Sequence, residues 1–343
     1  MRNTLLIIGS LIVSLLIVEL ASRMAGFEPR TLAVNDFFVD GLDTTWSMPD
    51  SELGWINKPG TSVSMEFGNA PMTFWDNGRR ASRGAVAVPP HAASIMIVGG
   101  SNAQAYGVID QESFAYKLAK RFPYLWFENF GNGGYSTVQA LLLSERELSD
   151  IYGATKPDLI VLTFADSHVN RNVSDQSWIY SISDSQGRYV APPHFRLTNG
   201  ELDFTPFETI EPWPFETSSA ALTLLHNIWL QSVAYNTADQ GIDVTRMVFK
   251  RFEELVKGSG AELLVAVLED RSQISGSVFD GLSLNIVDCS GYERDSRADY
   301  LLGGNGHPNA RYHTHFAECI GGWIEQKSAL TAQALKAAAV SDE

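Results

Sequence analysis

Cysteine is almost absent from this 343-residue chain, Cys289 and Cys319 being the only two. Two thiols exclude a four-cysteine zinc site and a small fold stapled by several disulfides. Basic residues are also scarce, 25 Lys and Arg against 40 Asp and Glu, for a formal net charge of −15. Nucleic-acid affinity comes mostly from Lys and Arg neutralising phosphates, so this balance argues against DNA or RNA as a partner. After the first stretch of the chain no long apolar run recurs, so the chain crosses a bilayer once at most. No internal repeat and no low-complexity tract interrupts it. With 45% hydrophobic and 19% charged residues, what remains is a folded chain. About 310 residues lie beyond the N-terminal segment, enough for one large domain or two small ones.

The N-terminus carries a membrane address. Met1-Arg2-Asn3-Thr4 leads into residues 5–18, which hold no charge, followed by Glu19-Leu20-Ala21-Ser22-Arg23. As a helix, residues 5–21 span about 25 Å, slightly short of a ~30 Å hydrocarbon core unless Glu19 and Arg23 snorkel at its end. Residues 1–25 read as a transmembrane anchor, with a cleaved signal peptide or a soluble helix as alternatives. Arg2 on one side and Arg23 with Arg30 on the other leave the positive-inside rule undecided. Placement of the rest in the periplasm or outside the cell therefore follows from the type of segment alone.

Residues 26–92 are rich in Pro, Gly, Asp, Asn and Trp, and read as an irregular lead-in. From residue 94 the rhythm changes. Strands are expected at 94–98, 125–129, 158–164, 262–268 and 284–288. Helices are expected at 113–122, 136–152, 217–235, 242–258 and 308–335. Strands alternating with helices predict an α/β three-layer sandwich, a five-stranded parallel sheet covered on both faces, over residues 93–335. Residues 174–216, with an Asn199-Gly200 turn, read as an insertion, and 336–343 as a tail.

Ligand sites in open α/β sheets lie at the carboxyl ends of the strands. There the chain places Gly99-Gly100-Ser101-Asn102, the cluster Asn129-Phe130-Gly131-Asn132-Gly133-Gly134-Tyr135-Ser136, the stretch Ala165-Asp166-Ser167-His168-Val169-Asn170-Arg171-Asn172, and Asn305-Gly306-His307-Pro308-Asn309. A serine on a tight turn, glycine amides and a histidine are what acyl transfer needs. Each has a plainer reading. Gly-Gly-Ser before a helix is commonly a turn with a serine cap, and a single His before Pro-Asn is commonly a loop residue. The glycine cluster is no phosphate loop, because no Gly-Lys-Ser/Thr closes it. His313 and His315, two apart, point to different helix faces and make a poor metal pair with His307, so neither metal nor cofactor is expected.

The order of these motifs resembles the SGNH (GDSL-like) hydrolases, in their membrane-anchored bacterial branch, over residues 49–324. The resemblance rests on Pro49-Asp-Ser-Glu-Leu-Gly-Trp-Ile-Asn-Lys-Pro59, Asp76-Asn77-Gly78-Arg79-Arg80, Ile97-Val98-Gly99-Gly100-Ser101 with Tyr106-Gly107-Val108, the glycine cluster through Gln139, and His307-Pro308-Asn309. It implies an SGNH/flavodoxin-like fold, Ser101 as nucleophile and His307 as general base. The oxyanion hole would then use the amides of Ser101 and Gly134. Two positions depart from the pattern. Ser167 stands where the family has an asparagine donor, leaving Ser167, Asn170 or a two-donor hole as options. Asn305 and Gly304 stand where the family places its aspartate. Asn305 would orient the imidazole without a full charge, and Asp299 and Asp295 are the nearby carboxylates.

The resemblance implies a serine ester hydrolase or O-acyltransferase outside the cytoplasm, acting on small acyl esters of envelope carbohydrate or lipid. The alternative is a catalytically weak SGNH scaffold that binds envelope glycan or a partner protein. Trp178, Tyr180, Phe195, Phe204, Phe207, Trp213 and Phe215 of the insertion line a binding cleft or form an aromatic mini-core. In an oxidising compartment Cys289 and Cys319 are expected to pair, two buried thiols being the other option.

Overall fold

A computed structural model describes residues 2–32, 46–64, 70–76, 78–84, 93–150, 156–182, 188–291, 300–302 and 306–327. An N-terminal helix α1 (Arg2–Met24) precedes four short strands, β1 (Ser47–Asp50), β2 (Gly54–Asn57), β3 (Gly60–Ser64) and β4 (Ala70–Phe74). The sheet begins with β5 (Ala93–Val98), α2 (Ser101–Gln104), α3 (Phe114–Arg121), β6 (Leu125–Asn129), α4 (Thr137–Asp150) and β7 (Leu159–Ala165). Two short helices follow, α5 (His168–Asn172) and α6 (Gln176–Ile179), then strands β8 (Tyr189–Ala191), β9 (His194–Thr198), β10 (Glu201–Thr205) and β11 (Glu208–Ile210). The chain closes with α7 (Ala220–Trp229), α8 (Gly241–Ser259), β12 (Glu262–Glu269), α9 (Ser275–Phe279), β13 (Asn285–Asp288) and α10 (Ala310–Lys327).

The five expected strands form one sheet in the order β13-β12-β7-β5-β6. Every neighbouring pair is parallel. Parallel strands need helices on both faces, and the sequence supplies them through alternation along each strand. On β5, Met96 and Val98 face one core with Val138 and Leu141 of α4 and Val248, Phe249 and Phe252 of α8. Ile95 and Ile97 face the other, with Phe114 and Leu118 of α3 and Tyr312, Phe316 and Ile320 of α10. Burying each large apolar side chain contributes roughly 1.5–3 kcal/mol, and these two layers hold most of them. Because β5 is flanked by β6 on one side and β7 on the other, the strand order reverses at β5. A crevice opens there at the carboxyl edge.

Helix ends follow their caps. Ser113 caps α3 by accepting from the Tyr116 N–H at 3.2 Å, and Gly260 ends α8 in the left-handed conformation (φ 79°). The expected helix 217–235 is α-helical over Ala220–Trp229 and widens into a π turn at Leu230–Ala234. The closing helix starts at Ala310 because Asn309 caps it, its Oδ1 accepting from the Arg311 and Tyr312 N–H groups at 3.0 and 3.1 Å. Its expected end, 328–335, lies outside the described residues. Cys289, just after β13, and Cys319 in α10 are joined in a disulfide.

The lead-in braces the glycine-rich turns. Trp55 is fully buried and its Nε1 donates to the Gly133 carbonyl at 2.8 Å. Asn57 Nδ2 donates to the Gly131 carbonyl at 2.9 Å, and Gln104 Nε2 donates to Asn57 Oδ1 at 2.7 Å. The buried Arg80 guanidinium donates to the carbonyls of Gln104 and Val108 at 3.1 and 2.9 Å and pairs with Asp110. In the insertion, β9 and β10 form a hairpin around Asn199 and Gly200, both at positive φ, as a two-residue hairpin turn requires. Its aromatics serve mostly as packing. Phe195, Trp178 and Phe207 join the α4–α8 core, and Tyr180 and Tyr189 lie 4.9 Å apart. Phe204 and Phe215 are exposed, and Trp213 stacks on His226.

The N-terminal helix docks on the start of α7, just beyond this insertion. Glu19 accepts from Ser219 Oγ at 2.7 Å and from the Ala220 and Ala221 N–H groups at 3.1 Å, the first backbone donors of α7. Such donors have no partner within their own helix, so the carboxylate satisfies them and complements the helix dipole. Buried Arg30, just beyond α1, lies 3.6 Å from the buried Glu216 carboxylate. Residues Asn3–Met24 are long and apolar enough to cross a membrane.

Candidate active site

Ser101 stands where β5 turns into α2, and two glycines shape that turn. Gly99 has φ 146°, and a Cβ there would lie 1.9 Å from Thr163 Oγ1 on β7. At Gly100 a Cβ would lie 2.9 Å from His168 Nε2 and 3.1 Å from the Tyr135 carbonyl oxygen. Only glycine fits at Gly99, because the chain leaves β5 hard against Thr163 of β7 in a backbone conformation that side chains oppose. After one turn Ala105 adopts φ 60° and ends α2, leaving Ser101 at its start.

His307 reaches the same point from the other end of the chain. Leu301 and Pro308 form an isolated bridge, the Leu302 N–H donates to the His307 carbonyl at 2.7 Å, and Asn309 caps α10. The histidine is thereby held between a short bridge and a helix start. Its Nε2 lies 2.9 Å from Ser101 Oγ, the distance of a hydrogen bond between a hydroxyl and an imidazole. The Tyr106 ring packs edge-on against His307 with centroids 5.2 Å apart. Burial, and then the charges of Arg171 and Arg271, push the His307 pKa down to about 4. Its imidazole is neutral at pH 7 and free to accept a proton.

Ser101, Ser167 and His307 line one cavity of about 160 Å³, together with Asn102, Ala165, His168, Arg171, Glu269, Arg271 and Gly306. Gly134 is not among those lining residues. It is buried at φ 77° in the loop after β6, and that loop is pressed onto the turn. A Cβ at Gly131 would lie 2.3 Å from the Gln104 nitrogen. Among the described residues, the N–H groups of Ser101 and Gly134 make no hydrogen bond within the protein. Asn170 is exposed and is not among the lining residues, whereas Ser167, also exposed, is one of them. Asn305, Gly304, Asp295 and Asp299 lie outside the described residues. Of the remaining histidines of the last block, His313 is buried against Phe114 and His315 bonds the Cys289 carbonyl oxygen at 3.1 Å.

Four residues that sequence reasoning did not single out also shape the site. His168 is buried, with its Nδ1 3.3 Å from Thr137 Oγ1, and burial pushes its pKa down to about 3. Glu269 ends β12, Arg271 follows it, and the two pair at 2.8 Å. Arg171, from α5, donates to the Tyr135 carbonyl at 3.3 Å and stacks on Trp178 with its guanidinium carbon 4.2 Å from the ring centre. Reading the carboxyl end of the fourth strand as the other strands were read would have found Glu269 and Arg271.

Fold and site together define a serine–histidine pair at the reversal point of a five-stranded parallel α/β sheet. No family model matches the chain, and no curated protein matches it. Solved structures of GDSL and SGNH hydrolases are similar to it at low identity. A lipolytic G-D-S-L family protein from Veillonella parvula is 14% identical, covering 68% of this chain and 100% of its own, with a TM-score of 0.37. A GDSL-like lipase from Bacteroides thetaiotaomicron is 12% identical, with coverages of 71% and 94% and a TM-score of 0.39. The psychrotrophic esterase EstA from Pseudoalteromonas is 11% identical, with coverages of 68% and 99% and a TM-score of 0.36. Likeness at this level carries no function across, so the functional reading rests on the geometry of the site.

Proposed function

We propose that the chain is a serine ester hydrolase in which Ser101 is the nucleophile and His307 the general base. The observation that carries this reading is the 2.9 Å contact between Ser101 Oγ and His307 Nε2 on the wall of a cavity. His307 takes the hydroxyl proton as Ser101 Oγ attacks the ester carbonyl. The carbonyl oxygen becomes an oxyanion, met by the unpaired N–H groups of Ser101 and Gly134 and by the Ser167 hydroxyl. Collapse of the adduct expels the alcohol, which leaves with the proton held by His307. Water, activated by the same imidazole, then releases the acid and restores Ser101. A sugar hydroxyl in place of water would make the reaction an acyl transfer.

The small cavity fits a short acyl group. The apolar helix Asn3–Met24 and the Cys289–Cys319 disulfide support a membrane-anchored protein with its catalytic unit, residues 93–335, in the periplasm or outside the cell, where disulfides persist. In that compartment the substrates would be small acyl esters of envelope carbohydrate or lipid. The test is Ser101→Ala assayed on p-nitrophenyl acetate. The substitution is expected to abolish turnover with the thermal midpoint unchanged. Retention of more than about a tenth of wild-type turnover would overturn the assignment, because losing a nucleophile costs many orders of magnitude.

A further inference from the structure

The cavity beside Ser101 carries an arginine that no carboxylate meets at ion-pair distance among the described residues; Glu269 and Asp166 act on it only through their charge. Of its two guanidinium groups, that of Arg271 is spent, paired with Glu269 at 2.8 Å and donating to the Gly306 carbonyl at 3.2 Å. The Glu269 carboxylate also accepts from Asn102 Nδ2 at 3.3 Å. Arg171 is different. It forms no ion pair among the described residues, and its polar contact is the single bond to the Tyr135 carbonyl. None of its nitrogens is a sealed atom without a partner, so the donors not spent on Tyr135 are open to solvent on a residue that lines the cavity. Trp178 lies against its flat face and fixes the plane of the fork. Among the described residues that line the cavity, Arg171, Arg271 and Glu269 sum to one net positive charge, in a chain of formal net charge −15. Asp166 accepts from the Ser272 N–H at 2.8 Å and does not line the cavity.

Resting on the hydrolase reading above, we infer that the site selects esters bearing a carboxylate next to the ester group, and that Arg171 is the residue that receives it. A planar guanidinium with two adjacent free donors matches a carboxylate in a bidentate fork. An anion there also relieves the positive field that Arg171 places on His307, so a charged substrate favours the imidazolium that forms as Ser101 is deprotonated.

The experiment compares acetoxyacetate with acetoxyacetamide, read as acetate released; the two share the acetyl ester and differ in one charge beside it. Wild-type kcat/KM is expected to favour the anion by on the order of 10- to 100-fold, a charge-assisted hydrogen-bond pair being lost with the neutral ester. The preference should shrink as salt is raised, and this is read on wild-type protein without any substitution. In Arg171→Gln the ratio should fall towards one, and Arg171→Lys should restore part of it. The inference is overturned if wild type shows no preference, or if Arg171→Gln lowers both substrates equally, which would make Arg171 a donor to the oxyanion. If wild type hydrolyses neither ester, the hydrolase reading fails and this inference fails with it.

A separate observation concerns α7. Beyond α1, large exposed apolar side chains concentrate on and beside this helix, with Phe215 79%, Leu225 50%, Ile228 48%, Trp229 41% and Val233 68% exposed. Leu225, Ile228 and Trp229 sit at helical spacing on one stripe. The helix that carries them is the one α1 docks to through Glu19. We propose that this stripe lies in the membrane interface, placing α7 along the bilayer surface and fixing how the catalytic unit faces it. The proposal rests on α1 spanning the membrane.

Full-length Ile228→Cys, nitroxide-labelled and reconstituted in phosphatidylcholine–phosphatidylglycerol vesicles, tests it. Position 228 is expected to relax faster with oxygen than with a water-soluble nickel chelate, and a label at exposed Lys250 on α8 to show the reverse. A water-like response at 228, or dipolar broadening that marks a second copy on this face, would overturn the proposal. Protein that does not stay with the vesicles would instead overturn the spanning reading of α1.

Discussion

The acid limb of the pH profile is where the environment of His307 becomes measurable. Burial first, and then Arg171 and Arg271, push its pKa down to about 4. Each cause opposes the imidazolium, so the neutral base persists into acid solution and is lost only as pH falls through about 4. The consequence is large. At pH 5 about nine-tenths of the free enzyme carries a neutral His307 with a pKa near 4, against about 3% with the ordinary value of 6.5. The difference is roughly 30-fold in the active form. The assay is kcat/KM for p-nitrophenyl acetate, a substrate that does not itself titrate, between about pH 3.5 and 8, because this ratio reports the free enzyme. The expected profile is flat from neutrality to about pH 5 and halves near pH 4. Half-maximal activity near pH 6.5 would show that the buried, cationic surroundings do not act on this histidine, and would refute the reasoning.

Three further outcomes follow from the packing. Gly99→Ala would place a Cβ 1.9 Å from Thr163 Oγ1 at φ 146°; it is expected to cost roughly 3 kcal/mol or more, read as a lowered urea midpoint together with lost turnover. His313 is buried with neither ring nitrogen bonded, and burial pushes its pKa down to about 3. A lowered folded-state value gives stability that is present above about pH 6.5 and lost as pH falls, roughly 2 kcal/mol by pH 5. His313→Phe, stacking on Phe114, is therefore expected to raise the urea midpoint and to flatten its dependence between pH 7.5 and 5. Replacing both Cys289 and Cys319 by serine opens a loop with a sequence separation of 30 residues and is expected to cost about 3–4 kcal/mol, measured by the same urea titration.

Much of the sheet was legible because its strands are short apolar runs bounded by turns; the cap at Asn309 was not read, and the closing helix, expected from 308, begins at Ala310. Ser101 and His307 were legible for a related reason. Both follow from asking what stands at the carboxyl edge of a parallel sheet. The same question put to β12 would have exposed Glu269 and Arg271, but Glu-Asp-Arg-Ser after an apolar strand looks like an ordinary solvated turn. Arg171 stood in the stretch after the third strand without distinction, because its place on the cavity wall and its bond to the Tyr135 carbonyl are facts of three dimensions. The lead-in was opaque for that reason too. Nothing local to Trp55 or Arg80 says that one bonds the Gly133 carbonyl and the other braces the end of α2. The docking of α1 on α7 likewise joins Glu19 to residues 200 positions away or more.

The central claim is that Ser101 is an activated nucleophile paired with His307. Its most direct test is labelling of the full-length protein with a fluorophosphonate, followed by peptide mass spectrometry. The account predicts a single covalent adduct, on Ser101, that disappears in Ser101→Ala and forms far more slowly in His307→Ala. An unlabelled protein at high reagent concentration, or an adduct on another serine, would contradict it.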